Sequence, residues 1–211
     1  MSARTDWYDW HRPYDDEHSP LSQRLRLVQR HIADWLDHRA GPASTVVSAC
    51  AGQGRDLIDV LAGRPVPGRV RARLIESDAR NVDAARARTA AVGVPEVEVV
   101  HADAGDLRSY AGAVPADLVL LTGVLGNITD ADVRATLAAL PQLCAAGATV
   151  IWTRTRRAPD LTPAIRGWLS EGGFVERAFE APDGVLFSVG VHTFAGTPQP
   201  LTDGKLFTFV R

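Results

Sequence analysis

A strand-like run, VVSA (46–49), passes into Cys50-Ala51-Gly52-Gln53-Gly54 and then into a helix-compatible stretch that starts near Arg55 and Asp56. Glycine at such a turn lets the backbone approach a ligand and adopt dihedral angles closed to other residues. By itself the pattern can also be a tight strand-to-helix turn. Two carboxylates add to it. Glu76 closes the next strand-like run, 22 residues after Gly54. An acid there can accept hydrogen bonds from both ribose hydroxyls of an adenosine. Asp103 follows the third run, in HADAGDL (101–107), where it can accept from an adenine amino group; its plainer role is a turn or N-cap aspartate. The carboxyl ends of successive parallel strands share one sheet edge, where α/β proteins bind ligands. The third glycine of a dinucleotide fingerprint is replaced by Leu57, which counts against NAD, FAD and a nicotinamide oxidoreductase. No G-x-x-x-x-G-K-[ST] is present, so a P-loop is excluded.

The elements that must position these residues follow from the apolar pattern. Ser19-Pro20 reads as N-cap and first helical residue, with Leu21, Leu25, Val28, Ile32 and Trp35 at helical spacing to about His38, and Gly41-Pro42 as the stop. Strand-like runs then follow at 46–49, 71–75, 97–100, 117–121 and 148–152. Helix-compatible stretches lie near 55–62, 79–92, 130–140 and 161–171. Their stops are Gly63 with Pro65, Gly93 with Pro95, Pro141, and Gly172-Gly173; Thr162-Pro163 reads as N-cap and first residue of the last helix. This alternation predicts an α/β fold with a parallel sheet and helices on both faces. After Gly173 come 174–181, 186–194 and 205–210 with no helix between them, so the sheet is expected to close with antiparallel strands.

With ACAGQGRD (49–56), LIESD (74–78), HADAGDL (101–107) and DLVLLTGVLGNITD (117–130), the chain resembles the class I S-adenosylmethionine-dependent methyltransferases over roughly 46–211. The resemblance implies a Rossmann-like three-layer α/β/α sandwich, with a seven-stranded sheet in the order 3-2-1-4-5-7-6 and an antiparallel C-terminal strand. It implies one domain, with residues 1–42 as an N-terminal aromatic lid and helix and 43–211 as the cofactor-binding core. The cofactor, S-adenosyl-L-methionine, would meet Ala51, Gly52, Gln53 and Gly54 on its methionine side, and Glu76 and Ser77 at the ribose. Asp103 and the backbone of Ala104 would hold adenine, and Thr122-Gly123 would flank the sulfonium. Two positions depart from the family: Ser48 stands where an acid is usual, and Cys50 where glycine is frequent. Cys50 reads as structural, since no base adjoins it.

The catalytic candidates are His11, Tyr14 and Asn127. Asn127 follows the fourth strand in a loop that the family turns toward the transferred methyl; it is also a plausible turn residue. Residues 7–18, WYDWHRPYDDEH, fit no period, and their aromatics suggest either a lid that excludes water or an anchor for the terminus. Arg24 can pair with the cofactor's carboxylate or lie on a solvated face. Arg154 and Arg156, past the fifth strand, can bind an acidic substrate group. His192 is expected to be a core or edge histidine.

Composition bounds the partners. The 211 residues carry 23 Lys and Arg against 25 Asp and Glu, a net charge of −2, with no basic stripe and no (D/N)PP(Y/F) after the fourth strand. Nucleic acid and anionic membrane are therefore not expected, and a small-molecule substrate is. His and Cys show no metal-ligand spacing, so no metal is expected. Two cysteines are too few for a disulfide framework, and no apolar run reaches membrane-span length, so a cytoplasmic protein is expected. Monomer and homodimer both remain open. The leading expectation is an enzyme that transfers a methyl group to an oxygen or nitrogen of a small molecule. The alternative is a protein that keeps the fold and binds the cofactor but acts as a cyclase or a non-catalytic partner.

Overall fold

The computed structural model describes residues 6–39, 43–62, 64 and 69–210. Seven strands form one sheet: β1 (Ser44–Ala49), β2 (Val70–Glu76), β3 (Val97–His101), β4 (Ala116–Leu121), β5 (Cys144–Thr155), β6 (Phe174–Glu180) and β7 (Phe187–Phe194). Their order is β3-β2-β1-β4-β5-β7-β6, as the resemblance implies. The first five strands are parallel, and β7 runs antiparallel to both β5 and β6.

Five α-helices cover the sheet: α1 (Pro20–Asp37), α2 (Ile58–Ala62), α3 (Ala79–Val92), α4 (Asp130–Ala139) and α5 (Thr162–Glu171). The strands read as unbroken apolar runs because both faces are buried. Successive residues part between two cores, as a period of two requires. Val46, Leu118, Leu120 and Ile151 pack with Val28 and Ile32 of α1 and Val82 of α3. Val47, Val119, Leu121 and Trp152 pack with Val133 of α4 and Ile165 of α5. Ser19 caps α1, its hydroxyl accepting from the Ser22 amide at 3.1 Å, and Gly93 ends α3 in the left-handed region.

Four local expectations change. Residues 7–18 are not patternless: Asp9–Asp15 is a 3-10 helix, and the rings of Trp7, Trp10, His11 and Tyr14 meet in tilted and edge-to-face contacts. Their spacing of three and four is the helical signal, obscured by the polar residues between them and by Pro13. The stretch expected to be helical from 55 turns helical only at Ile58. Thr162 is the first residue of α5 rather than its cap; Leu161 holds the cap position, and the Asp160 carboxylate accepts from the Thr162 amide at 2.9 Å. Residues 205–210 form no sheet strand. Leu206 and Phe207 are both buried, and the backbone bonds to loops rather than to a sheet strand, the Leu206 amide donating to the Gly105 carbonyl at 2.6 Å and the Val210 amide to the Asn127 carbonyl at 3.0 Å. The segment instead straps the loops at the sheet's ligand edge, touching Asp106 and Ile128 through isolated bridges. The stops expected at 41–42, 63 and 65 lie outside the described residues.

Candidate functional site

The β1–α2 turn needs unusual backbone. Cys50, Gly52 and Gly54 have φ of 51°, 54° and 69°. Cys50 thus occupies a left-handed position, where glycine is the unstrained choice. Its thiol is pushed well above the usual range by burial and by the carboxylates of Glu76 and Asp103. It is no nucleophile in this state.

Glu76 clamps the turn. One carboxylate oxygen accepts from the Gly52 amide at 2.8 Å, and the other from the amides of Ser77 and Asp78, each at 2.8 Å. Burial pushes its pKa up, and those three amides oppose the rise. Asp56 is the second buried acid here. Its carboxylate accepts from the Leu57 amide at 2.9 Å and from the Thr122 hydroxyl at 2.8 Å, linking the β1 and β4 loops. Burial raises its pKa as well.

These groups wall one pocket at the carboxyl ends of β1, β2 and β4. It brings together Ala51, Gly52, Gln53, Glu76 and Ser77, then Thr122, Gly123 and Asn127 across from them. His11 and Tyr14 cover it from the N-terminal 3-10 helix. Three predicted residues stay outside the lining. Gly54 serves packing: a Cβ there would stand 2.5 Å from Ile58 and 2.8 Å from Leu74. Asp103 is exposed, accepting from the Gly105 amide at 2.8 Å and from Lys205 Nζ at 3.2 Å. Ala104 is buried, and its carbonyl accepts from the Tyr110 hydroxyl at 2.8 Å.

The cover is tied down by polar contacts. Arg80 pairs with Asp6 at 2.7 Å, and Arg55 with Asp15 at 3.4 Å. Arg24 donates to the Tyr14 hydroxyl at 2.7 Å and lies over the Trp10 ring at 5.6 Å. His11 donates through Nδ1 to the Trp7 carbonyl at 2.7 Å, so its Nε2 lone pair faces the pocket floor. That nitrogen would be 2.3 Å from a Cβ on Gly52. The imidazole therefore rests on Gly52 itself. Burial, then the charges of Arg55 and Arg24, hold its pKa below the usual histidine value, while its bond to Trp7 works the other way. Asn127 donates to the Gly123 carbonyl at 2.6 Å and folds the β4–α4 loop back on itself.

Sequence reasoning missed Asp56 and Asn81. Asn81 lies on α3, fully buried beside Val82 and Ala85, and its side chain is part of the pocket wall. Neither its amide nitrogen nor its amide oxygen has a hydrogen-bond partner. An amide inside an apolar helical stripe was the available signal. Phe209 was also missed; it reaches the pocket from the C-terminal strap and packs on Trp7 with ring centroids 5.3 Å apart.

Among solved structures, a magnesium protoporphyrin IX methyltransferase from Synechocystis PCC 6803, solved with bound S-adenosylmethionine, superposes with a TM-score of 0.66. The match covers 92% of this chain and 99% of that one at 16% identity. The fold is that of the class I S-adenosylmethionine-dependent methyltransferases. An O-methyltransferase family protein from Burkholderia thailandensis shares this methyltransferase fold, with a TM-score of 0.61 at 20% identity. That match covers 80% of this chain and 56% of the other, so the chain spans little more than half of that protein. A TehB-like methyltransferase from Corynebacterium glutamicum matches over 82% of this chain and 96% of its own, with a TM-score of 0.55 at 18% identity. No family profile and no curated protein matches the sequence.

Proposed function

We propose that the protein is an S-adenosylmethionine-dependent methyltransferase acting on an oxygen or nitrogen of a small molecule. The observation that carries this is the pocket wall: a glycine turn, a buried carboxylate and an orphaned buried amide face one space at the ligand edge of a methyltransferase fold. A buried amide without partners costs about 1–3 kcal/mol, so a bound ligand that satisfies it gains affinity. The donor set suits the cofactor. Glu76 and Asn81 suit the ribose hydroxyls. Asp56 supplies, from the turn just before α2, the acid that Ser48 cannot offer the methionine ammonium. Arg24 has no carboxylate partner among the described residues and suits the methionine carboxylate. Asp103, outside the lining and paired with Lys205, would have to release that contact to meet adenine.

The bound cofactor supplies an already electrophilic methyl carbon. The chain's own residues then have three tasks. Trp7, Trp10 and Phe209 exclude water. The Gly123–Asn127 loop orients the acceptor, since alignment is the main demand of a direct displacement. A neutral His11 with a free Nε2 can take the acceptor's proton once its ring leaves Gly52; its lowered pKa keeps it unprotonated near neutrality. Tyr14 holds Arg24 in place. A cytoplasmic monomer or homodimer that engages neither nucleic acid nor membrane fits this reading; among the described residues no helix is long and apolar enough to cross a membrane, and no cluster of His, Cys, Asp or Glu could hold a metal ion.

The test is calorimetric binding of S-adenosylmethionine and S-adenosylhomocysteine to the wild type and to Asn81→Leu and Arg24→Ala. Glu76→Ala is a poor control, because that carboxylate also holds three backbone amides. Micromolar binding, weakened about tenfold in each variant, supports the reading. Absence of binding by the folded wild type refutes it. The position of His11 on Gly52 favours a second reading, a protein that keeps the fold without methyl transfer. Cofactor binding with no labelled methyl delivered to any acceptor would select it.

A further inference from the structure

A second, wider groove adjoins the pocket. Trp10, Arg24, Gly123 and Asn127 line both, so the two spaces meet at the β4–α4 loop. The groove continues past the end of β5 to Arg157 and the turn before β7. Its character differs from that of the pocket. Leu186 and Val210 line it and are 53% and 56% exposed. They are two of only four large hydrophobic side chains left exposed among the described residues, the others being Tyr8 and Val175. Clustered exposed apolar side chains mark a binding surface, whereas scattered ones do not.

Its charge is one-sided. The groove holds three arginines and one acid. Arg154 is committed: it donates to the Leu125 carbonyl and pairs with Asp130 at 3.1 Å, which consumes the acid. Arg24 is stacked on Trp10 at the junction with the pocket. Arg157 has no ion pair or side-chain hydrogen bond among the described residues, and it lies in the groove but not in the pocket. An uncommitted guanidinium beside an apolar wall matches a carboxylate on an apolar body.

We propose that this groove is the acceptor site and that the acceptor is an amphipathic organic acid, its carboxylate on Arg157 and its apolar body against Leu186 and Val210. The carboxylate is an anchor; the atom to be methylated lies at the other end, beside Gly123 and Asn127. This deepens the methyltransferase reading, and only the word acceptor depends on it.

The test compares three ligands of one shape, 2-naphthoate, 2-naphthylmethanol and 2-naphthylmethylamine. Binding is read by calorimetry on the full chain, with and without S-adenosylhomocysteine. The expected order is acid, alcohol, amine, with the acid about fivefold tighter than the alcohol in an open, solvated groove. Arg157→Ala should bring the acid to the alcohol's level and leave the alcohol unchanged. Leu186→Asp should weaken the acid most and the alcohol less, while its new carboxylate offsets the lost apolar contact for the amine. Thermal unfolding of both variants within experimental error of the wild type confirms an intact fold. An amine that binds as well as the acid, or an acid preference that survives Arg157→Ala, overturns the proposal. The expected pattern in a protein that never binds S-adenosylhomocysteine would uphold the groove's chemistry and sink the methyltransferase reading alone.

Discussion

The two halves of the ligand edge are built differently. At β1 and β2 the acids are held by the protein itself, Glu76 by three backbone amides and Asp56 by Thr122 and Leu57, while the Asn81 amide is buried without a partner. At β4, β5 and the strand pair beyond, apolar side chains stand in solvent, and Arg157 is bonded through its backbone amide to Thr155 Oγ1 while its guanidinium has no ion pair or hydrogen bond among the described residues. A site for an invariant ligand gains from being assembled beforehand, because rigidity removes ordering costs. A site for a variable ligand keeps its binding groups exposed. Under the proposed function the first half would serve the cofactor and the second half the acceptor.

The β1–β2 half is most sensitive at Glu76. Glu76→Ala removes the acceptor of three backbone amides, at about 1 kcal/mol each. Chemical denaturation should show a loss of about 3 kcal/mol; a loss near zero would mean that the turn holds itself and the first half is not preassembled.

The second effect lies on β7, outside both the pocket and the groove, and depends on pH. Trp152 Nε1 donates to His192 Nδ1 at 3.2 Å, and burial holds the His192 pKa at about 4, with only partial relief from Glu176. The unfolded chain protonates this histidine near 6.5 and the folded chain does not. Stability is therefore present at neutral pH and lost as pH falls from 6.5 toward 4. His192 alone should cost about 2 kcal/mol between pH 7.5 and pH 5. His11, also depressed, adds in the same direction. In His192→Gln, unfolding titrations should show a flatter slope over that range; an unchanged slope would assign the acid sensitivity elsewhere.

Smaller changes sharpen the contrast by moving stability and binding in opposite directions. Asn81→Leu removes an orphaned buried amide, so the melting temperature should rise by the equivalent of about 1 kcal/mol while cofactor affinity drops about tenfold. A fall in both would give Asn81 a structural role. In Asp56→Asn the amide oxygen can still accept from the Leu57 amide, and the amide nitrogen can donate to the Thr122 hydroxyl, which reverses only the second bond. The raised pKa of Asp56 means that its carboxylate contributes least at high pH: its stability is present below about 3.8 and lost as pH rises through the folded value. The variant should thus gain stability at pH 8 relative to pH 4, with weaker cofactor binding at both. Last, Arg157→Ala and Leu186→Ser, on exposed positions, should leave unfolding within about 0.5 kcal/mol. A larger change would mean that the groove is part of the core.

Much of this was legible along the chain. The strand-helix alternation, the antiparallel pair at 174–194, the glycine turn and Glu76 all declare themselves locally, through period, turn chemistry and spacing. The order of the sheet came from resemblance rather than pattern. The 3-10 helix at 9–15 was present as a spacing of three and four, but polar residues and Pro13 masked it.

The local pattern determined which residues are strands, helices and turns, because those choices depend on near neighbours and on which face meets water. Only the tertiary structure decided what the polar groups do. It spends Glu76 on backbone amides, sets Asp56 against Thr122 66 residues away, and leaves Asn81 without a partner. It also turns residues 205–210 from an expected strand into a strap that brings Phe209 onto Trp7. Each of these depends on partners far along the chain, and a partner's distance in space is not written in its distance in sequence.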